Sequence, residues 1–145
     1  MTESAPFSLL LIDDDDVAAE AVKRNLHKHG LRCPVIVAED GAAALTILRG
    51  THPERQIDAP RLVLLDLNMR GMNGFEFLRE LRADAALRGT VVFVLTTSAA
   101  ESDVVRAYQE GVAGYLTKST LGPQLRGLAR FLTEYGSATV LPSTR

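Results

Sequence analysis

Apolar residues along this chain form short unbroken runs that alternate with longer stretches in which they recur every three or four positions. Residues 8–12 (SLLLI), 62–65 (LVLL) and 90–95 (TVVFVL) are continuous runs closed by turn-forming or polar residues. Their length and closure predict strands buried on both faces, as in a parallel sheet sandwiched by helices. Residues 31–38 (LRCPVIVA) read as a further strand, placed at the sheet edge because Pro34 has no N–H to give to a ladder. Residues 112–116 read as a short last strand.

The intervening stretches have helical spacing. Val17, Ala21, Val22 and Leu26 are expected on one helix face, closed by Lys28, His29 and Gly30. Glu39, Asp40 and Gly41 turn into an alanine-rich helix over 42–49, followed by a surface loop over 50–60. Gly71 and Gly74 supply a turn, and Asn73 with Glu76 predicts a capping box ahead of Phe75, Leu78 and Leu81. After a break at Arg88 and Gly89, Ser98 and Glu101 suggest a second capping box, with Val104, Val105 and Tyr108 facing inward and a stop at Gly111. Leu121, Leu125, Leu128 and Leu132 have the spacing of one amphipathic helix. Strand and helix thus alternate five times, which predicts an α/β, doubly wound parallel sheet with right-handed crossovers.

Composition narrows the class without changing this picture. The 145 residues, 46% hydrophobic and 23% charged, suit one globular domain with one core. No apolar run approaches the roughly 20 residues of a membrane helix, and MTESAPF lacks the basic-then-apolar order of a leader, so a cytoplasmic location with no membrane partner is expected. A net charge of −2 argues against a nucleic-acid partner. The single cysteine, Cys33, reads as a small buried thiol. His27 and His29 stand two apart on a helix and face different ways, and His52 lies in the loop, so neither arrangement suggests a metal pair.

Candidate chemistry gathers at the carboxyl ends of the predicted strands, where open α/β sheets build their sites. The first strand ends in Asp13, Asp14, Asp15 and Asp16, the third in Asp66, the fourth in Thr96 and the last in Thr117 and Lys118. Asp15 or Asp16 is expected to cap the following helix. Clustered carboxylates repel, and a hard divalent cation such as Mg²⁺ relieves that repulsion. A metal, a lysine and a hydroxyl beside one carboxylate are what phosphoryl transfer to that carboxylate needs, which would make Asp66 an acyl phosphate.

With the acidic pair after the first strand, LLDLNM…G around Asp66, Thr96 after the fourth strand and the aromatic-x-x-Lys of residues 115–118, the chain resembles the receiver domains of two-component response regulators over residues 9–132. The resemblance implies a flavodoxin-like five-stranded (βα)5 fold of strand order 2-1-3-4-5. It implies one receiver domain over 1–145, with a core of about 8–134, an N-terminal tail 1–7 and a C-terminal extension of about 135–145. Asp66 resembles the phosphoacceptor, and the carboxylates of Asp14 and Asp66 and the backbone carbonyl of Asn68 resemble the Mg²⁺ ligands. Asp13 resembles the acid that holds the metal through water. Thr96 and Lys118 would contact the phosphoryl oxygens, and Tyr115 would turn inward as Thr96 moves. Asn68 and Ser98 occupy positions that tune dephosphorylation in the family. Two positions depart from it: Arg70 and Ser119 stand where relatives often carry proline. Without proline, a cis Lys118–Ser119 bond would cost about 2.5–4 kcal/mol, so a trans bond is expected.

The implied function is a phosphoacceptor rather than an enzyme, charged by a sensor histidine kinase and signalling through protein contacts on the fourth helix, fifth strand and fifth helix. The LTTS after strand four and the tail 133–145 are similar to single-domain regulators paired with bacterial phytochrome kinases, whose C-termini often mediate homodimers, although Gly136 stands where those relatives often have an aromatic. Two alternatives differ in class. A phosphate-independent receiver would act as a constitutive interaction module. A haloacid dehalogenase-type phosphatase would need its nucleophile on the first strand within Asp-x-Asp, the reverse of the order here.

Overall fold

The computed structural model describes residues 7–69 and 72–143. In chain order the elements are β1 (Ser8–Ile12), α1 (Asp16–Lys28), β2 (Val35–Ala38), α2 (Gly41–Arg49), β3 (Arg61–Leu65), α3 (Gly74–Ala83), β4 (Val91–Thr96), α4 (Glu101–Gln109), β5 (Gly114–Thr117), α5 (Lys118–Leu121), a 3-10 turn (Pro123–Leu125) and α6 (Arg126–Ala138). The strands form one parallel sheet of order β2-β1-β3-β4-β5, with β2 at an edge.

The continuous apolar runs are explained by this sandwich, because successive side chains of a strand point to opposite faces. Leu10, Ile12, Val63, Leu65, Val92 and Val94 meet α2, α3 and the single buried residue of α4, Ala107. Leu9, Leu11, Leu62, Leu64, Phe93 and Leu95 meet α1 and α6. Phe93 stands edge-on to Phe131 and Tyr135, with ring centroids at 5.1 and 4.9 Å. A Cβ on Gly114 would sit 2.8 Å from the Phe93 ring, so the strand beside that ring has room for glycine alone.

Most helix starts follow the sequence. Asp15, not Asp16, caps α1, accepting from the Val17 and Ala18 amides at 3.0 and 3.1 Å. Asn73 and Glu76 form the expected capping box on α3. Gly30 and Gly50 take the left-handed φ of +91° and +77° expected after a helix.

Four expectations are corrected. The buried stripe of α1 is Ala19, Val22 and Leu26; Val17 is 79% exposed, because at 100° per residue it lies on the far side from Ala19. On α4 only Ala107 is buried, and Val105 and Tyr108 point out at 46% and 50% exposure. Ser98 and Glu101 make no capping box; Ala100 precedes the helix without a side-chain cap, and the Ser98 hydroxyl turns to Asp103 at 2.8 Å. The leucine repeat 121–132 is not one helix, because Gly122 takes φ +85°, Pro123 cannot continue a helical ladder, and Gln124 and Leu125 take φ of +56° and +54°.

At the boundaries, the described part of the second strand begins at Val35, after Pro34, and the last strand is Gly114–Thr117. The final helix runs on to Ala138, past the expected core limit of 134; Gly136 within it is buried, and Leu141 packs into the cluster of α1 and α6. Arg70 and Gly71 lie outside the described residues.

Candidate functional site

Strand register brings the acidic residues together. Ile12 of β1 stands opposite Leu65 of β3, so each central strand delivers an aspartate at its next residue. The Asp66 amide donates to the Ile12 carbonyl at 3.0 Å and the Asp13 amide to the Ala38 carbonyl at 3.0 Å, which continues the ladder one step beyond the strands. Carboxylate oxygens of Asp13, Asp14 and Asp66 consequently lie within 4.8 Å of one another. Asp13 is buried at 4% exposure, and Asp14 and Asp66 are half-buried.

Local turns fix two of these side chains. Asp13 Oδ1 accepts from the Asp15 amide at 2.9 Å and Asp66 Oδ1 from the Asn68 amide at 3.1 Å. Each aspartate retains a second oxygen for another ligand. Gly74 makes the close loop after Asp66 feasible. A Cβ there would approach the Leu67 Cα to 2.6 Å and the Asp66 carbonyl oxygen to 2.9 Å.

Burial raises the Asp66 pKa above the ordinary carboxylate value, opposed by the Asn68 amide and by Lys118 and assisted by the charges of Asp13 and Asp14. Asp13 is raised for the same leading reason, with the Asp15 amide and Lys118 opposing. Crowded oxygen donors whose charged forms are disfavoured in isolation are what a hard divalent cation stabilises. The donor set of Asp13, Asp14 and Asp66 therefore fits such an ion.

Lys118 stands at the junction of β5 and α5, close enough for its charge to act on Asp13 and Asp66. The cis peptide among the described residues is Ala59–Pro60, so Lys118–Ser119 is trans, as expected without proline. Thr96, at 1% exposure, ends β4; its Oγ1 accepts from the Ser98 amide at 3.4 Å. Tyr115 is half-buried against the core and donates its hydroxyl to the Ser98 carbonyl at 2.9 Å. Ser98 thereby touches both Thr96 and Tyr115, and Asp103 holds its hydroxyl.

Of the residues singled out from sequence, Asp13, Asp14, Asp66 and Lys118 meet electrostatically at one end of the sheet, with Thr96 closing the neighbouring strand. Asn68 is exposed at the rim. Asp103 was not legible: it lies five residues from Ser98, a separation that matches no local capping pattern. Haloacid dehalogenase chemistry finds no counterpart in this order, since Asp66 ends the third strand and Asn68 replaces the second acid.

A family model described as "Response regulator receiver domain" matches residues 9–130. The chain is 35% identical over 130 residues to the probable methanogenesis regulatory protein FilR2 of Methanothrix harundinacea, covering 90% of this chain and 83% of that one. It is 35% identical over 114 residues to the response regulator Rcp1 of Synechocystis sp., covering 79% and 78%. The crystal structure of the Mn²⁺-bound form of Rcp1 superposes with a TM-score of 0.75 at 32% identity, covering 94% and 99% of the two chains. That of the phosphorylated cyanobacterial phytochrome response regulator RcpA gives a TM-score of 0.79 at 29% identity, also covering 94% and 99%.

Proposed function

Because this chain belongs to the response regulator receiver domain family, which works with sensor histidine kinases, we propose that it accepts a phosphoryl group on Asp66 in a Mg²⁺-dependent reaction and signals by protein contact. The observation that carries this reading is the meeting of Asp13, Asp14 and Asp66 within 4.8 Å, under the influence of Lys118. An Asp66 carboxylate oxygen forms the new O–P bond as the P–N bond of the donor phosphohistidine breaks, and the imidazole leaves with the freed electron pair. Asp13, Asp14, Asp66 and the Asn68 carbonyl would hold Mg²⁺, which would neutralise charge on the phosphoryl oxygens. Lys118 adds a fixed positive charge, and the Thr96 hydroxyl donates to a phosphoryl oxygen.

The Thr96 hydroxyl can donate its proton while Oγ1 still accepts from the Ser98 amide, and because that contact is long at 3.4 Å it is cheap to break when Thr96 turns toward the phosphoryl group. Since Ser98 also carries the Tyr115 hydroxyl bond and the Asp103 contact, its displacement is communicated to β5 and α4. The population of such arrangements shifts because the new contacts exist only with the phosphoryl group present. Val105 and Tyr108, exposed on α4, are available for the output contact, and a homodimer through α4, β5 and the helices after it, with the C-terminal tail, is the proposed form. The chain acts as a phosphoacceptor and not as a turnover enzyme, in the cytoplasm and away from nucleic acid. Among the described residues, no helix is long and apolar enough to cross a membrane. Likeness to RcpA supports a phytochrome-type kinase as the donor.

The test is phosphotransfer from an autophosphorylated histidine kinase, including a bacterial phytochrome kinase. Label is expected on the wild type in a hydroxylamine-sensitive linkage and absent from Asp66→Asn; label on both would sink the assignment. Substitutions at Asn68 and Ser98, which border the site, are expected to change the decay rate of the acyl phosphate more than its rate of formation. Unchanged decay at both positions would contradict their role.

A further inference from the structure

Away from the acidic site, the other half of α1 borders a groove of about 430 Å³ whose remaining wall is the segment leading into β2. Its floor is apolar. Leu26 and Leu31 are buried, and Cys33 and Val35 are half-buried, leaving aliphatic surface at the bottom. Burial pushes the Cys33 thiol up to about 11, so it serves as an apolar wall and not as a nucleophile.

The rim is mainly basic. Residues 21–38 contain no Asp or Glu, yet hold Lys23, Arg24, Lys28 and Arg32, four of the chain's 16 Lys and Arg, in a protein of net charge −2; of these Lys28 turns away, to Gln124 at 3.4 Å. Cations in the last turn of a helix are favourable on dipole grounds, which accounts for Lys28. That argument does not reach Lys23 and Arg24, which line the groove higher on the helix, or Arg32, which lies beyond it. Arg32 Nη1 lies 3.2 Å from His27 Nε2, bringing its guanidinium to the groove wall. Among the described groove-lining residues the one acid, Glu20, lies 3.9 Å from Lys23, with side chains 64% and 40% exposed, too weak a pair to cancel the field.

We infer that this groove between α1 and β2 docks an acidic amphipathic segment of a protein partner, with aliphatic side chains on the floor and carboxylates against Lys23, Arg24 and Arg32. From Glu20 to His27 the helix wall runs about 10 Å at 1.5 Å per residue, room for about two turns of a partner helix. The apolar floor favours a protein over a nucleic acid, whose backbone would use the cations and leave the floor uncovered. The groove lies on the side of the sheet opposite α4, so this contact and an α4 contact can coexist.

The full chain would be titrated into a fluorescein-labelled synthetic peptide, helix-forming, with leucines at i, i+3, i+4 and i+7 and glutamates between them. Its scrambled isomer and a single-stranded oligonucleotide of equal charge serve as comparisons. Saturable binding to the patterned peptide is expected, weakening with salt, with backbone amide shifts confined to residues 20–35. The double variant Lys23→Glu/Arg32→Glu, on polar positions outside the core, should weaken it by about tenfold while leaving circular dichroism and phosphorylation unchanged. Equal binding of the scrambled peptide or oligonucleotide would overturn the inference in favour of a general polyanion surface. Self-association abolished by the same variant would overturn it in favour of a second copy, and no binding to the patterned peptide would overturn it outright.

Discussion

Gly74→Ala is expected to destabilise the protein by about 2–3 kcal/mol, lowering its melting temperature by about 5–10 °C, and to impair phosphorylation at the same time. Alanine is ordinarily the better helix residue, and Gly74 opens α3 at a position with no left-handed φ, so local propensity alone predicts a gain. Packing decides the opposite. The added Cβ would lie 2.6 Å from the Leu67 Cα and 2.9 Å from the Asp66 carbonyl oxygen, both backbone atoms that no rotamer change can move. Relief requires the segment after Asp66 to shift, which disturbs the Gly74 amide to Leu67 carbonyl bond at 3.2 Å and the Asn68 amide that orients the Asp66 carboxylate. Thermal melts and phosphorylation yield, measured on the same preparation, check both consequences. An unchanged or raised melting temperature would contradict the close approach.

Asp13→Asn is expected to act in opposite directions with and without Mg²⁺. Two carboxylates about 5 Å apart repel by about 1–3 kcal/mol at effective dielectric constants between water and a protein surface. Asparagine is nearly isosteric, its carbonyl oxygen can still accept the Asp15 amide, and its NH₂ can donate to the neighbouring carboxylates. The metal-free variant should therefore melt higher than the wild type. The sign with pH follows from the direction of the shifts. Asp13 and Asp66 bind a proton more readily folded than unfolded, so the stability that protonation brings is complete below about pH 4 and is lost as pH rises through their elevated native values. The advantage of Asp13→Asn is thus largest at neutral pH and fades in acid. Saturating Mg²⁺ should reverse the order, because an ion at 100 times its dissociation constant stabilises the wild type by about 2.7 kcal/mol and the variant by less. Melting curves at neutral and acid pH, with and without Mg²⁺, check this. A variant that melts lower without metal would show that the three carboxylates are not in mutual repulsion.

The strands and the cluster at their ends were readable in the sequence for one physical reason. A strand buried on both faces must be apolar throughout, so its end is marked by the first ionisable residue, here Asp13 after Ile12 and Asp66 after Leu65. Parallel order then puts those ends side by side. Helix facing was less legible because one residue is 100° of rotation. Val17 sits two positions from Ala19 and faces water, and Val105 and Tyr108 flank the narrow stripe that Ala107 buries. The end of the chain was misread because leucine spacing survives the break at Gly122 and Pro123, where backbone conformation overrides periodicity. The partner of Ser98 and the groove beside β2 depend on how α4 and α1 pack, which spacing does not encode.

The most direct test of the central claim is intact mass after incubation with acetyl phosphate, with and without Mg²⁺, for the wild type and Asp66→Asn. Phosphoryl transfer to Asp66 predicts one added phosphoryl group on the wild type in Mg²⁺, with none when Mg²⁺ is chelated and none on Asp66→Asn. A phosphoryl group that appears equally on Asp66→Asn, or without Mg²⁺, would contradict it.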